Sequence, residues 1–238
     1  MKYWILFLLV GSLFNTSAQD LTVSPEILEE LETVQLKTET DTFLLRVAYP
    51  KNYETAKTYK CFLGLSGGTQ SREIVDYCYA AWFRSGYFHN YITIMPVVEQ
   101  GDTVNLKDYD RAKIADLLKA INERFKLEPN WLVAGTSNGG EAAFRFVDAF
   151  PGRFEGLITA PGLFGATIVP DERWGHLKVI MAYGTKDHPD WIKGTKACAK
   201  QLKKIVKSIK VVPLKDQGHI LPVSFNADKM YDPYFLPE

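Results

Sequence analysis

The sequence predicts an α/β protein with one mixed sheet of about eight strands, mostly parallel and covered by helices on both faces. Short apolar runs alternate with amphipathic helical patterns from Tyr59 onward, which is typical of parallel strands joined by helices. Two runs of alternating apolar and polar residues precede that region and predict an antiparallel hairpin. The 238 residues have ordinary apolar and charged fractions and contain no repeat or linker, so we expect one domain.

The first eighteen residues have the pattern of a signal peptide. Lys2 supplies a positive charge, Tyr3 to Phe14 is almost wholly apolar, and Thr16 to Ala18 gives small residues for cleavage. A membrane-spanning helix is the alternative, but this apolar run is shorter than the roughly twenty residues needed to cross a bilayer. The sequence has no cysteine near the cleavage point, so a lipid anchor on a mature N-terminal cysteine is not expected. We therefore expect residues 1–18 to be removed and residues 19–238 to form an exported domain without a membrane span, either periplasmic or extracellular.

The hairpin is predicted from Thr33 to Lys37 and from Thr42 to Tyr49, around the polar stretch Thr38 to Asp41. It would form the antiparallel edge of the sheet. The strands after it are short apolar runs of the kind that parallel sheets bury. These runs are Cys61 to Leu65, Tyr91 to Pro96, Trp131 to Ala134, Gly156 to Thr159, Lys178 to Tyr183 and Lys210 to Val212.

Apolar residues at helical spacing lie between these runs. One stripe follows the i, i+3, i+4, i+7 pattern of an amphipathic helix, and a second recurs near the end of the chain. The first stripe is Ile114, Leu117, Leu118, Ile121 and Phe125, and the second is Ile192, Ala199, Leu202 and Val206.

The segment Gly135-Thr136-Ser137-Asn138-Gly139 matches the G-x-S-x-G pattern of a nucleophile elbow. Its glycines are needed because the strand turns so sharply into a helix that side chains would collide. The apolar run Trp131 to Ala134 precedes the motif, and apolar residues at helical spacing follow it as far as Phe150. This strand, turn and helix order predicts Ser137 as a nucleophile; the alternative is a glycine-rich turn with an incidental serine.

A serine hydroxyl needs a base to take its proton, and at such elbows the acid and the histidine follow the serine in the sequence. His219 follows the last apolar run through a loop and is the predicted base. Asp187 lies just beyond the Lys178 to Tyr183 run and is the predicted acid, which would fix the tautomer of the histidine. Asp190 is the competing acid. His188 directly follows Asp187 and is therefore too close in sequence to be positioned separately as the base.

The oxyanion of a tetrahedral intermediate needs backbone donors, one from the residue after the nucleophile and one from the loop after an early strand. Asn138 is the first predicted donor. Ser66-Gly67-Gly68-Thr69 follows the Cys61 to Leu65 run, and we take Gly68 as the second donor. This loop lacks the Lys and Ser/Thr spacing of a phosphate-binding loop, and an ordinary strand-to-helix turn is the alternative.

No motif predicts a metal or an organic cofactor. The chain has no H-E-x-x-H, C-x-x-C or G-x-G-x-x-G pattern, so we expect catalysis without either. Its 28 basic and 28 acidic residues balance, and we expect no long stretch in which either sign dominates, so nucleic acid is not an expected partner. The three cysteines, Cys61, Cys78 and Cys198, are expected to be buried free thiols, although a bridge between the first two is possible.

With these residues in place, the chain resembles the α/β-hydrolase superfamily over nearly all of its mature length. It is most similar to small secreted esterases, including the polyhydroxybutyrate-depolymerase-like group. The resemblance rests on Ala48 to Tyr53, Ser66 to Gly68, Gly135 to Gly140 and Gly218-His219. It implies cleavage of carboxylic esters through an acyl-enzyme on Ser137. One departure is Ser66, which stands where relatives often carry histidine before the oxyanion glycines.

Fewer than about twenty residues separate the Gly156 to Thr159 and Lys178 to Tyr183 runs, where this fold often carries a lid domain. We therefore expect an open cleft without a large lid. Phe164, Trp174 and Trp191 are candidates for its rim, which would suit aromatic acyl esters or esters on polysaccharides. A serine peptidase or thioesterase would use the same triad, and a non-catalytic binding protein on the same fold is the remaining alternative.

Overall fold

The computed structural model describes residues 21–99, 104–165 and 167–231. The expected signal peptide therefore lies outside the described residues. The described chain contains one sheet of eight strands, and every strand predicted from the sequence is confirmed. The strands are β1 (Leu31–Lys37), β2 (Thr42–Ala48), β3 (Lys60–Leu65), β4 (Tyr91–Val97), β5 (Trp131–Gly135), β6 (Phe154–Thr159), β7 (Lys178–Gly184) and β8 (Ser208–Leu214).

The order of the strands in the sheet is β1-β2-β4-β3-β5-β6-β7-β8. β1 and β2 form the predicted antiparallel hairpin, closed by a hydrogen bond from the Thr38 N–H to the Asp41 carbonyl. β2 is antiparallel to β4, and every pair from β4 to β8 is parallel. The carboxyl ends of β3, β5, β7 and β8 consequently meet at one edge of the sheet, which we name the carboxyl edge.

Six α-helices accompany the sheet within the described residues. They are α1 (Pro25–Leu28), α2 (Arg72–Cys78), α3 (Arg111–Arg124), α4 (Asn138–Ala149), α5 (Pro189–Leu202) and α6 (Asp228–Tyr231). The first predicted apolar stripe is buried on α3, except that Phe125 lies just beyond the helix. Of the second stripe, only Ala199 and Leu202 are buried on α5, because Ile192 is partly exposed and Val206 lies beyond the helix. A π-helical turn at Tyr79–Phe83 extends α2 and buries all five of its residues. No helix in these ranges is long and apolar enough to span a membrane.

Alternate residues of the central strands face opposite sides of the sheet, so each side has its own hydrophobic core. Val133 of β5 packs in the core beneath α3, α4 and α5. Leu132 and Ala134, its neighbours on the same strand, pack in the core beneath α2 and α6. This arrangement explains why the parallel strands are continuous apolar runs and not alternating ones.

A buried ion pair fixes the hairpin to the rest of the sheet. The Arg46 side chain on β2 lies 2.6 Å from the Asp76 carboxylate on α2, and both side chains are nearly inaccessible to solvent. The Arg46 guanidinium also donates hydrogen bonds to the Leu31 carbonyl and the Thr33 hydroxyl of β1. Both antiparallel strands are therefore connected to the first helix of the parallel region.

The connection between β6 and β7 spans residues 160–177, and its described part contains only a short 3₁₀ turn at Glu172–Trp174. The expectation of no large lid domain is confirmed for this connection. The carboxyl edge between β5 and β7 is therefore not covered by an inserted helical domain at this point.

Candidate active site

Ser137 lies between β5 and α4 with backbone angles of φ 53° and ψ −121°. A positive φ is uncommon for a residue with a side chain and costs of order 1–3 kcal/mol unless the surroundings impose it. The Ser137 side chain is partly exposed at the carboxyl edge. The strand–turn–helix geometry expected of the G-x-S-x-G segment is therefore present.

The glycines of the segment are required by close backbone contacts. A Cβ on Gly139 would overlap the carbonyl oxygens of Leu65 and Ser66, at the end of β3. A Cβ on Gly135 would overlap the Gly139 carbonyl. The first turn of α4 therefore packs directly against the loop that follows β3, and this contact brings the Ser137 backbone beside that loop.

The loop after β6 supports the turn from the other side. The Ser137 N–H donates to the Pro161 carbonyl over 2.8 Å, and the Thr136 hydroxyl donates to the Ala160 carbonyl over 2.6 Å. The Asn138 N–H, in contrast, has no hydrogen-bond acceptor among the described residues. Of the Ser137 and Asn138 backbone N–H groups, only that of Asn138 is available to a bound molecule.

His219 and Asp187 form an ion-pair geometry at the same edge. His219 Nδ1 lies 3.0 Å from Asp187 Oδ1 and 3.1 Å from Oδ2. The Asp187 side chain is fully buried, whereas one third of the His219 side chain is exposed. Asp187 Oδ1 also accepts the His188 N–H over 2.6 Å. A carboxylate held in this way fixes the ring orientation and directs Nε2 away from itself.

The loops that carry these two residues are joined by backbone hydrogen bonds. The Lys186 N–H donates to the Gln217 carbonyl over 2.8 Å, and the Thr185 N–H donates to the Leu214 carbonyl over 3.0 Å. A Cβ on Gly184, the last residue of β7, would overlap the carbonyl oxygens of Gln217 and Gly218. This close approach places the histidine loop directly beside the aspartate turn.

The competing residues occupy different positions. Asp190 is in the first turn of α5 with four fifths of its side chain exposed, and it lies near His188 and not His219. His188 is the residue that precedes α5, and its ring accepts the Asp190 N–H. The structure therefore pairs His219 with Asp187 and leaves Asp190 at the surface.

No hydrogen bond joins the Ser137 hydroxyl to the His219 ring in this structure. The two residues share the carboxyl edge, since β5 is separated from β7 by β6 alone and His219 follows β8. Hydrogen bonds between catalytic groups are often long in the absence of substrate and shorten when it binds. The geometry thus presents a preformed acid–base pair and a separately preformed serine turn.

The loop after β3 lies against Ser137. A Cβ on Gly67 would be 3.3 Å from the Ser137 Cβ, and the Gly68 carbonyl accepts the Asn138 side-chain amide over 3.0 Å. The Asn105 amide donates to the same carbonyl over 3.3 Å. The Gly68 N–H donates no hydrogen bond to any described residue. Both predicted oxyanion donors, Asn138 and Gly68, are therefore free amides in adjoining segments.

Gln70 is a residue of this site that the sequence patterns did not indicate. It is fully buried, with φ 61°, and its side-chain amide donates to the Ser66 carbonyl over 3.0 Å. Its side-chain oxygen accepts the Leu106 N–H over 2.9 Å, and its carbonyl accepts the Val98 N–H over 2.9 Å. The two sides of the loop are thereby connected to the end of β4.

The three rim candidates differ in position. Trp191 is partly exposed in the first turn of α5, and its ring centroid lies 4.9 Å from that of His219. Phe164 is partly buried and contacts Phe144 edge-on at 5.2 Å. The prediction that Trp174 lines the rim is wrong, because its side chain is fully buried and stacks on Phe144. A residue with no exposed surface cannot contact substrate at an open cleft.

The three cysteines are free and buried, and the possible bridge between Cys61 and Cys78 is not formed. In the described ranges, no group of three or more His, Cys, Asp and Glu side chains could hold a metal ion.

A cavity of about 770 Å³ lies at the opposite, amino edge of the sheet, beside Tyr49, Tyr79 and Tyr91, and none of the predicted catalytic residues lines it. The predicted catalytic side chains therefore lie at the carboxyl edge, away from this cavity.

Neither a protein-family model nor a curated protein matches this sequence. Solved structures do match its fold. A thermostable esterase has a TM-score of 0.62 at 15% identity over 79% of this chain and 56% of its own, so the chain spans little more than half of that protein. A ferulic acid esterase has a TM-score of 0.61 at 13% identity over 86% of this chain and 96% of its own.

The feruloyl esterase module from Clostridium thermocellum, as an S954A mutant complexed with sinapinate, has a TM-score of 0.60 at 14% identity and covers 90% of both chains. At such low identity these similarities concern the fold. Together with the strand order, they show that this chain has the α/β-hydrolase fold expected from its sequence.

Proposed function

We propose that this protein is an exported serine hydrolase that cleaves carboxylic esters, with Ser137 as the nucleophile, His219 as the general base and Asp187 as the acid that orients the base. The observation that carries the proposal is the His219–Asp187 pair, at 3.0 and 3.1 Å, on the same sheet edge as a serine held at φ 53°. A buried carboxylate and a partly exposed imidazole are the arrangement that general-base catalysis requires.

In the acylation step, His219 Nε2 takes the proton of the Ser137 hydroxyl as the serine oxygen forms a bond to the ester carbonyl carbon. Asp187 stabilises the imidazolium that results. Collapse of the tetrahedral intermediate breaks the bond to the alcohol, and the imidazolium returns the proton to the leaving alkoxide. The products of this half-reaction are a free alcohol and an acyl-Ser137 ester.

The developing oxyanion would be bound by the N–H groups of Asn138 and Gly68. Neither amide has an acceptor among the described residues, and the segments that carry them are joined by the hydrogen bond from the Asn138 side chain to the Gly68 carbonyl. Donors fixed in advance need no rearrangement in the transition state, and removing one typically costs on the order of 100-fold or more in turnover.

Deacylation would repeat the sequence with water. His219 accepts a proton from a water molecule that attacks the acyl carbon, and then donates it to the Ser137 oxygen as the acid product leaves. Since one third of the His219 side chain is exposed, water can reach it. No large lid covers this edge within the described residues, which also favours access by bulky esters.

The rim supports esters with aromatic acyl groups or esters carried on polysaccharides as substrates. Trp191 lies beside His219 with a partly exposed ring, which offers a flat apolar surface next to the reacting carbonyl. The feruloyl esterase module that shares the fold was solved with sinapinate, an aromatic acid. Export, which the N-terminal sequence predicts, would place the enzyme where plant or microbial polymers are met.

The experiment that tests the proposal is labelling of the purified protein by a fluorophosphonate, followed by peptide mass mapping. Labelling at Ser137 in native protein, with none in heat-denatured protein or in Ser137→Ala, is the expected result. An equally folded protein that is not labelled would contradict the nucleophile and favour a binding protein on this fold. Rates on acetyl, butyryl, feruloyl and long-chain esters, with matched amides and thioesters, then identify the leaving group and acyl chain.

A further inference from the structure

One segment of the chain is strongly basic, so the expectation that neither sign of charge dominates a long stretch is wrong. Residues 191–215 contain eight lysines and no aspartate or glutamate. They cover most of α5, the turn after it and β8. In a chain whose total charge is zero, this segment concentrates more than a quarter of the 28 basic residues.

Seven of these lysines are exposed, and together we name them the lysine stripe. None of the seven forms a salt bridge with an acidic residue in the described part of the chain. The stripe consists of Lys193, Lys196, Lys200, Lys203, Lys204, Lys207 and Lys215.

Five lysines elsewhere in the chain behave differently. Lys57, Lys107, Lys113, Lys119 and Lys186 each form a salt bridge with an aspartate or glutamate. An ordinary solvated helix face alternates the two signs in this way, because like charges one turn apart are destabilising. Lysines also protect an exposed edge strand from pairing, but that explains only residues on β8 and not those on α5. The unbalanced charge of α5 therefore calls for a partner of opposite sign.

The stripe leads to the candidate active site. Lys193 lies half a turn from Trp191, whose ring contacts His219, and Lys215 lies in the loop before His219. From Lys193 to Lys203 the helix extends roughly 15 Å away from the site, at 1.5 Å per residue. A polymer bound along α5 would therefore extend to the amino end of the helix, which carries the Trp191 ring in contact with His219.

We propose that the lysine stripe binds an acidic polysaccharide, a chain of sugars that bear carboxylates, and that this polymer carries the ester presented to Ser137. The second half of the inference rests on the proposed function, whereas the binding surface does not. An extended polyanion matches a linear array of point charges and gains affinity from each of them. The partly exposed Trp191 ring at the end of the stripe provides a flat surface on which a sugar or an aromatic acyl group can stack.

Other polyanions fit less well. Helices that bind membranes need an exposed apolar face, but the apolar side of α5 is buried, and of the large apolar residues in 191–215 only Val211, on β8, is exposed. Nucleic-acid surfaces commonly combine lysine with arginine, which binds phosphate with two parallel hydrogen bonds, and residues 191–215 contain no arginine. A carboxylated sugar chain needs neither feature.

The test measures binding of Ser137→Ala protein to immobilised polygalacturonate by biolayer interferometry, because this variant cannot consume a ligand. The stripe variant carries Lys200→Glu, Lys203→Glu and Lys207→Glu, which all lie away from His219. The control carries Lys37→Glu, Lys51→Glu and Lys119→Glu, exposed lysines outside the stripe with the same change in net charge. Thermal unfolding midpoints verify that both variants are folded.

We expect the stripe variant to bind at least roughly tenfold more weakly and the control to change by less than about twofold, with binding weakened by added salt. Equal affinities of the two variants would overturn the proposal. Tighter binding to anionic vesicles, to duplex DNA or to a neutral cellulose derivative than to polygalacturonate would overturn it as well.

A second measurement separates this inference from the proposed function. With Ser137 intact, the stripe variant should lose kcat/KM on acetylated polygalacturonate through a higher KM. Stripe-dependent binding by a protein that hydrolyses no ester would leave the binding surface established and contradict the proposed hydrolase.

Discussion

The side-chain amide of Gln70 donates a hydrogen bond of 3.0 Å to the carbonyl of Ser66, across the loop that would supply an oxyanion donor. Gln70 is fully buried, and its side-chain oxygen is occupied by the Leu106 N–H. The loop is thus held by a residue that does not itself face the reacting atoms. We assign Gln70 as a positioning residue for the Gly68 N–H.

Gln70→Leu should lower kcat by roughly tenfold or more, with little change in KM, because the loop donor matters most in the transition state. It should also lower the free energy of unfolding by about 1–3 kcal/mol, since the Ser66 carbonyl and the Leu106 N–H lose their partners while buried. Initial rates and chemical denaturation measure the two effects.

Gln70→Glu is the matched variant for that prediction. In its ionised form the glutamate keeps an oxygen for the Leu106 N–H but has no donor for the Ser66 carbonyl. If the bond to Ser66 positions the loop, both variants lower kcat and slow fluorophosphonate labelling of Ser137. A destabilised Gln70→Leu protein with unchanged kcat would limit Gln70 to a structural role.

Asp187→Asn should lower turnover by about 10³- to 10⁴-fold, because an amide neither fixes the correct imidazole tautomer nor stabilises the imidazolium. Asp190→Asn should change turnover by less than about twofold, since that carboxylate is exposed and lies beside His188 and not beside His219. Steady-state kinetics on one soluble ester compares the two. The reverse ranking would make Asp190 the acid and would contradict the pairing seen here.

The strands and the candidate catalytic residues could be predicted because they depend on local patterns. Buried parallel strands are apolar runs whatever packs on them, and the serine, aspartate and histidine occupy fixed positions at strand ends in this fold. Ser137, Asp187 and His219 accordingly occur at the ends of β5, β7 and β8. Periodicity and chain order were sufficient for this part of the structure.

The features that escaped the sequence depend on which segments meet in space. Trp174 is an aromatic residue in the β6–β7 connection, as a rim residue could be, but its turn packs on Phe144 and the side chain is buried there. Gln70 is an ordinary turn residue until β4 and the segment around Leu106 are brought beside it. The lysines of the stripe are visible in the sequence. That none of them forms a salt bridge with a described acidic residue is evident only when the neighbouring surfaces are known.

Gly139→Ala should abolish labelling of Ser137 and lower the free energy of unfolding. The added methyl would overlap two carbonyl oxygens at the end of β3, and backbone cannot move away as a flexible side chain can. Gly152→Ala is the matched control, because a Cβ there meets nothing within 4 Å. Labelling yield and thermal unfolding of the two proteins test the prediction. A Gly139→Ala protein that is fully labelled would show that this contact is not needed for the elbow.

Asp76→Ala should destabilise the protein by about 3–5 kcal/mol, because it leaves the Arg46 guanidinium buried without its partner. Replacing both residues, as Arg46→Met with Asp76→Leu, should recover much of that loss, since no uncompensated charge remains. Chemical denaturation of the single and double variants measures both values. Equal stability of Asp76→Ala and the unmodified protein would mean that water or another group satisfies Arg46.

The three thiols should be inert in the native protein. Burial raises the pKa of Cys78 to about 12, raises that of Cys61 well above its ordinary value, and raises that of Cys198. Because the thiolate is the reactive form, a disulfide reagent at pH 8 should modify no cysteine until the protein unfolds, and then all three. Fast reaction of any thiol in folded protein would contradict the burial seen here.

The same shifts predict a loss of stability in alkali. A thiol whose pKa is higher in the native protein binds its proton more tightly there than in the unfolded chain, so its stabilising contribution is fully present below the unfolded pKa of about 8.5. As the pH rises further, the unfolded chain releases the proton first and the free energy of unfolding falls. Denaturation between about pH 8 and 9.5 should show this slope, before tyrosines titrate. Cys78→Ala should make the slope shallower, whereas an unchanged slope would mean that Cys78 is not the thiol responsible.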